Sequence, residues 1–145
     1  RVQTELVEDG RTAPPDSERL RHFLVGRPGT GKSFALKAAE QLQEEGISCE
    51  VIDGRTIRPL DIDTIVESVR KTNGCVVVDQ SWSFGSPGSE VAAQVHAHCF
   101  DDLDNHVMRV HSADVPTPYA ANLEQEYLPN ARRIAEAVRS SLYVA

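Results

Sequence analysis

Long apolar runs and basic residues are both scarce in this 145-residue sequence. No stretch reaches the roughly 20 apolar residues of a membrane-spanning helix, and the N-terminus lacks the apolar segment of a secretory signal. Lys and Arg number 15 against 22 Asp and Glu, which gives a net charge of -7. Nucleic-acid-binding surfaces are normally basic. The composition therefore argues against membrane and nucleic-acid partners and favours a basic protein partner.

Cysteine and methionine are scarce as well. The three cysteines of the sequence are Cys49, Cys75 and Cys99. This odd, scattered set predicts buried free thiols in a reducing compartment rather than disulfides. His96 and His98 lie close to Cys99, but side chains two residues apart on a helix face different directions, so we expect no metal site there. Met108 is the single methionine, and we therefore expect the chain to begin inside a longer precursor.

What the sequence does contain is an apolar run at residues 22–25 that breaks into a glycine-rich loop ending in Gly-Lys-Ser. The loop matches G-x-x-x-x-G-K-[ST], in which backbone N–H groups cradle phosphates. A helical apolar stripe follows, so the loop would open a helix whose positive N-terminal end faces a bound anion. The pattern predicts a phosphate or nucleotide site at Gly26, Gly29, Gly31, Lys32, Ser33 and Asp79, with Ser33 and Asp79 as Mg²⁺ ligands if ATP or GTP binds.

Hydrophobic periodicity predicts alternating strands and helices in a single domain over residues 1–145. Residues 1–20 would form an edge strand and a loop, and residues 21–145 an α/β core. The apolar run before Asp79 is typical of a strand that is covered on both faces of a parallel sheet. Strands that alternate with helices imply right-handed crossovers and helices on both faces. We expect the strands containing Leu24 and Val77 to be neighbours at the centre of the sheet.

The element boundaries follow from turn and capping signals. The predicted strands are residues 2–7, 21–26, 47–52, 75–79 and 106–111. The first predicted helix runs from the glycine-rich loop to about Glu45, with Gly46 as its C-cap. The second begins at Asp61 or Asp63, with Thr64 and Glu67 as a capping box, and ends at Asn73–Gly74. A third helix follows Gly88, and a closing helix begins at Leu128–Pro129. The Pro-rich segment 115–119 must be extended, because each proline disfavours helix in the residue before it.

Three phrases of the sequence resemble one family. They are AEQLQEEGISCEVIDGRTIRPLDIDTIVESVRKTN, VVVDQSW and HSADVPTPYAANLEQEYLPNARRIAEAV, and residues 57–61 and 114–119 are their most specific parts. They resemble the C-terminal domain of the beta subunit of pyruvate dehydrogenase, whose fold is shared by the related domain of transketolase. The resemblance runs from about residue 38 to the C-terminus and leaves the glycine-rich loop as a P-loop-like insertion.

This resemblance implies a three-layer α/β/α sandwich around a five-stranded, mostly parallel sheet whose first strand is an antiparallel edge. It implies a non-catalytic domain that assembles with the alpha and beta subunits of the dehydrogenase. The domain would contribute to oxidative decarboxylation of pyruvate only within the full complex, in the mitochondrial matrix or bacterial cytoplasm. Thiamine diphosphate and Mg²⁺ would bind elsewhere in the parent enzyme. The basic subunit-binding domain of the acyltransferase core would dock near Asp101, Asp102 and Asp104.

Two other functions compete with this interpretation. The glycine-rich loop favours a P-loop nucleotide-binding domain or NTPase, but Gln80 follows Asp79 at the position where many ATPases place a catalytic Glu. A standalone thiamine-dependent enzyme would need the domain and partner chain that the resemblance places outside this sequence. Trp82, Phe84 and Tyr119 therefore indicate packing or interface aromatics rather than a cofactor site.

Overall fold

The computed structural model of the protein describes residues 22–26 and 32–142. Its strands are β1 His22–Gly26, β2 Cys49–Asp53, β3 Cys75–Asp79 and β4 Met108–His111. Its helices are α1 Lys32–Glu44, α2 Ile62–Thr72, α3 Pro87–Cys99, α4 Ala121–Tyr127 and α5 Ala131–Ser141, with a 3-10 turn at Phe100–Asp102 directly after α3. No helix within these described ranges is long and apolar enough to cross a membrane.

The described strands form a four-stranded parallel sheet in the order β2-β1-β3-β4. Leu24 of β1 pairs with Val51 of β2 on one side and with Val76 of β3 on the other. The predicted central position of β1 and β3 is therefore confirmed. The antiparallel strand predicted at residues 2–7 lies outside the described residues.

Alternate residues of β3 pack into two separate cores. Val77 belongs to the core that α2 and α3 contribute to, whereas Val76 and Val78 belong to the core shared with α1 and α5. All three side chains are at most 2% exposed, and burying each contributes on the order of 2 kcal/mol. The helices thus cover both faces of the sheet, which confirms the three-layer α/β/α sandwich. Because side chains alternate along a strand, Asp79 shares the face of Val77.

Three predicted helix ends are confirmed, whereas α3 begins at Pro87 and not after Gly88, because Ser86 caps it and Pro87 fits its first turn. Gly46 follows α1 with a positive φ of 77°, and Ile47 N–H closes the helix by donating to the carbonyl of Leu42 at 2.9 Å. Asn73 caps α2 in the left-handed conformation. Asp61 is the N-cap of α2, since its carboxylate accepts a hydrogen bond from Thr64 N–H at 3.3 Å.

The capping box predicted at Thr64 and Glu67 is wrong, because the helix already begins at Ile62 and places Thr64 inside its first turn. The prediction that one closing helix begins at Leu128–Pro129 is also wrong. That pair links two helices, α4 and α5, and the side chain of Asn130 caps α5 by accepting from Arg133 N–H at 3.0 Å. Residues 106 and 107 precede β4 rather than start it.

The helix α4 has no counterpart in the sequence prediction. It is 7 residues long, and only Tyr127 within it is buried. A helix this short and exposed carries no apolar stripe, so periodicity gives no signal for it.

Candidate functional site

The chain passes from β1 into α1 as the glycine-loop hypothesis requires. Gly26 is the last residue of β1, Lys32 is the first residue of α1, and Ser33 is exposed in its first turn. Gly29 and Gly31 lie outside the described residues. The strand and helix that flank the loop are thus in place.

The carboxylate assigned to Mg²⁺ nevertheless faces away from α1. Gly26 pairs with Val78, so Asp79 lies just beyond the end of β1, as the predicted strand order requires. Its side chain lies on the face covered by α2 and α3, whereas α1 packs on the opposite face. The buried carboxylate on the α1 face is Asp53, the register partner of Gly26. Nucleotide and Mg²⁺ binding at the loop stays a prediction.

Asp79 instead secures the start of α3. One carboxylate oxygen accepts a hydrogen bond from Gly88 N–H at 3.0 Å, and the other accepts from Ser81 N–H at 3.1 Å. Burial alone would raise the pKa of the Asp79 carboxyl, but these hydrogen bonds and the nearby His111 outweigh burial and lower the pKa below its ordinary value. The ionised carboxylate thereby satisfies two backbone donors at a helix N-terminus.

Sequence reasoning missed His111, which lies beside Asp79 in the β3–β4 register and is 5% exposed. A Cβ atom at Gly88 would approach His111 Cε1 to 3.0 Å, so a larger residue there would force the imidazole or α3 to shift by a few tenths of an ångström. Burial lowers the pKa of His111, the Asp79 carboxylate partly opposes this, and Arg109 adds to the lowering. The imidazole is therefore mostly neutral near pH 7. A polar residue that ends an apolar strand, as Asp79 also does, is the signal that would have found it.

The loop between β3 and α3, residues 80–86, is held by hydrogen bonds at several points. Arg109 Nη1 donates to the carbonyl of Ser83 at 3.2 Å and to Ser89 Oγ at 2.8 Å. Ser112 Oγ donates to the carbonyl of Gln80 at 2.6 Å. Ser86 is the N-cap of α3 and accepts from Ser89 N–H at 3.1 Å. The loop is therefore anchored to β4 and to α3.

Large apolar side chains project from the carboxyl edge of the sheet. Trp82 is 51% exposed and Phe84 is 94% exposed in the anchored loop, and Val115 and Tyr119 are exposed in the segment that follows β4. We call these four residues the aromatic end. Phe84 and Tyr119 therefore do not pack against the described residues. An interface role for the aromatic side chains stays a prediction.

The predicted docking acids lie at the other edge of the sheet. Residues 100–104, here called the acidic segment, follow the C-terminus of α3. Asp102 accepts from Arg70 Nε at 3.2 Å, and its carbonyl accepts from the Asn73 side chain at 2.7 Å. Asp101 and Asp104 are exposed. Two of the three predicted acids thus face solvent, while the third anchors the segment to α2.

Among residues 22–26 and 32–142 no group of three or more His, Cys, Asp or Glu side chains is placed to hold a metal ion. His96, the nearest to a metal motif in the sequence, donates its ring N–H to the Ala92 carbonyl one turn earlier at 2.9 Å. The three cysteines are free thiols, and burial raises the pKa of Cys49 to about 12.

This arrangement of helices over a parallel sheet defines the class of the fold, and comparison with known proteins places the chain within that class. Residues 27–134 match the family described as transketolase, C-terminal domain. A solved structure described as a split gene transketolase, inactive beta4 tetramer, superposes on 98% of this chain with a TM-score of 0.75 and 26% identity, and 42% of that chain is covered. The chain belongs to the transketolase C-terminal domain family.

Curated relatives carry a more specific name, the beta subunit of the pyruvate dehydrogenase E1 component. The Rhizobium meliloti (strain 1021) protein is 44% identical over 79% of this chain and 25% of its own length. The mitochondrial proteins of Caenorhabditis elegans and Dictyostelium discoideum are 39% and 46% identical over 99% and 95% of this chain, and 42% and 43% of their lengths. The chain thus spans less than half the length of these relatives.

Proposed function

We propose that this chain acts as the assembly and docking domain of a pyruvate dehydrogenase beta subunit, and that it contributes to oxidative decarboxylation of pyruvate only within the full complex. The observation that carries the proposal is the similarity to beta subunits across 79–99% of the chain. The names of the relatives, from bacteria and from mitochondria, support the bacterial cytoplasm or the mitochondrial matrix as its location.

The family resemblance supports a site for thiamine diphosphate and its Mg²⁺ in another part of the parent enzyme. In the described residues, the buried carboxylate of Asp79 accepts the backbone N–H groups of Ser81 and Gly88 and so secures the start of α3. We therefore assign the cofactor to another part of the parent enzyme and give this domain a non-catalytic role.

The two exposed surfaces suit two kinds of partner. The aromatic end offers protruding apolar side chains on an anchored loop, and exposed aromatic residues are typical of protein interfaces. We assign it to contacts with the alpha and beta subunits of the dehydrogenase. The acidic segment offers the exposed carboxylates of Asp101 and Asp104, and we assign it to the basic subunit-binding domain of the acyltransferase core.

Reversal of charge at Asp104 tests the docking role. In titration calorimetry against a basic subunit-binding domain, Asp104→Lys should weaken binding several-fold at low salt, mainly through slower association, and the difference should shrink as salt rises. Glu40→Lys is the matched control, since Glu40 is an exposed acid on α1 and the charge change is identical. Equal affinities of the two variants at low salt would remove Asp104 from the docking surface. No binding by the wild-type chain would remove the docking function itself.

A further inference from the structure

The turn that follows β2, residues 54–60, is exposed but held in place at both ends. Arg55 N–H donates to the carbonyl of Asp53 at 2.9 Å, and its guanidinium pairs with the buried Asp53 carboxylate at 3.5 Å. Thr56 Oγ1 donates to the carbonyl of Pro59 at 2.9 Å. The residues between these anchors are therefore presented in a defined position.

This turn presents one apolar and one cationic side chain to solvent. Ile57 is 40% exposed. The guanidinium of Arg58 is exposed too, and it makes no ion pair or hydrogen bond with the described residues. Arginine is enriched at the energetically important positions of protein interfaces, and its planar group binds a carboxylate through two parallel hydrogen bonds. Arg58 is therefore available to a carboxylate of another chain.

A matching carboxylate lies in the segment that follows β4. Asp114 is exposed, and its carboxylate makes no hydrogen bond or ion pair with the described residues. On either side of it, Ala113 N–H donates to the Tyr127 carbonyl at 3.0 Å, and Val115 N–H donates to the Ala113 carbonyl at 2.9 Å. Asp114 is thus held on an anchored backbone, as Arg58 is.

The strand order separates these two charges by an apolar centre. Because the four described strands are parallel, the loops after β2, β3 and β4 lie at the same edge of the sheet, and the β3 loop with Trp82 and Phe84 lies between the other two. Strands spaced about 4.8 Å apart put β2 and β4 about 14 Å from each other, with Arg58 on one side of the aromatic loop and Asp114 on the other. A surface with opposite charges on the two sides of an apolar centre is complementary to itself.

We propose that this edge binds a second copy of the chain about a two-fold axis through the loop of Trp82 and Phe84, so that Arg58 of each copy pairs with Asp114 of the other. The inference rests on the assembly role proposed above and names another beta subunit as the partner at this edge. In a two-fold contact every residue pair occurs twice. The two ion pairs also offset the repulsion between chains that each carry a net charge of -7.

Exchange of the two charges in the full-length beta subunit tests this contact. In sedimentation velocity at low salt, Arg58→Asp and Asp114→Arg should each weaken self-association about tenfold, because each variant brings like charges together twice per dimer. The double variant Arg58→Asp/Asp114→Arg restores both pairs with their signs reversed, and its association should return to within about twofold of wild type. Added salt should reduce the losses of the single variants.

Lys37→Asp and Glu40→Arg are the matched controls, since both residues are exposed on α1 and the charge changes are identical. Losses no larger than those of the controls, or a double variant no better than the single ones, would overturn this contact while self-association of the wild type upholds the assembly role. Weaker binding of the alpha subunit with unchanged self-association would also overturn it, because the partner would then be the alpha subunit. A strictly monomeric wild type would overturn the assembly role and this contact with it.

Discussion

The two ends of α3 carry opposite chemistry. Its N-terminus adjoins the loop that presents Trp82 and Phe84, and its C-terminus runs into the acidic segment with Asp101 and Asp104. Since the helix returns across a parallel sheet from the carboxyl edge to the amino edge, these surfaces lie at opposite edges of the molecule. The two partner contacts proposed for the domain therefore do not share a surface.

The supports of the two ends also differ. The aromatic loop depends on the buried groups Asp79 and His111. The acidic segment is tied to the end of α2 by hydrogen bonds with Asn73 and by an ion pair between Arg70 and Asp102 that is about half exposed. Buried hydrogen bonds to a charged group stabilise strongly, and exposed ion pairs contribute little. Protruding aromatics give affinity through desolvation, and exposed carboxylates mainly give association rate and salt dependence. Under the proposed function, the first surface would therefore make permanent contacts and the second exchangeable ones.

Removal of one carboxylate from each end should give the largest difference. Asp79→Ala leaves the N–H groups of Ser81 and Gly88 unpaired, and we expect the free energy of unfolding to fall by about 3 kcal/mol. Asp104→Ala removes an exposed side chain and should change it by less than about 0.5 kcal/mol. Urea denaturation measures both. Similar losses in the two variants would mean that Asp79 does not secure α3.

The glycine-rich loop is a third region against which both ends can be compared. If it binds phosphate, ATP or GTP with Mg²⁺ at a hundredfold over the dissociation constant should stabilise the chain by about 2.7 kcal/mol. The rise in melting temperature should disappear in Lys32→Ala and persist in Asp104→Ala. If millimolar ATP, GTP or pyrophosphate does not raise the melting temperature of the wild-type chain, nucleotide binding is refuted and docking is the one function that remains proposed.

Truncation of one phenyl ring at each end tests the division of roles. In the full-length beta subunit, where we expect a dimer or larger assembly with residues 115–119 near the interface, Phe84→Ala should weaken association by about 2 kcal/mol. Phe100→Ala is the matched control, because Phe100 is 74% exposed in the acidic segment. Sedimentation velocity over a range of concentrations reports both. A strict monomer in wild type would refute the assembly role, and equal losses would refute the assignment of the aromatic end.

Periodicity predicted the central strands well, because a parallel strand buried on both faces leaves an unmistakable apolar run such as residues 75–78. It missed α4, where few buried residues mark the helix. We also grouped Asp79 with Lys32 and Ser33, on the basis of the motif and of the strand order that the family resemblance implies. The order of the strands in the sheet determines which strand ends are neighbours. The alternation of side chains along β3 determines the face of the sheet on which the Asp79 carboxylate lies. The partnership of Asp79 with His111 and Gly88 depends on tertiary packing, which a single sequence does not display.

The last prediction uses pH to separate the two ends, because only the aromatic end has a buried histidine beneath it. The groups around His111 are Asp79 on β3, Arg109 on β4 and Arg133 on α5, whose guanidinium donates to the His111 carbonyl at 2.7 Å. Since burial lowers the pKa of His111 in the folded state, the unfolded chain binds the proton more readily.

The contribution of His111 to stability is therefore fully present above about pH 6.5, the ordinary value, and is lost as pH falls from there toward the folded pKa. We expect the free energy of unfolding to decline over this window with a slope of at most about 1.4 kcal/mol per pH unit from this group. His111→Gln should flatten the slope whatever its effect on stability at pH 8. The lowered pKa of Asp79 acts in a separate window, below about pH 4, where protonation weakens its hold on Gly88. Urea titrations at pH 8, 6.5 and 5 measure the free energy of unfolding. If its slope with pH is equal in wild type and His111→Gln, protonation of the imidazole does not contribute to the pH dependence of stability.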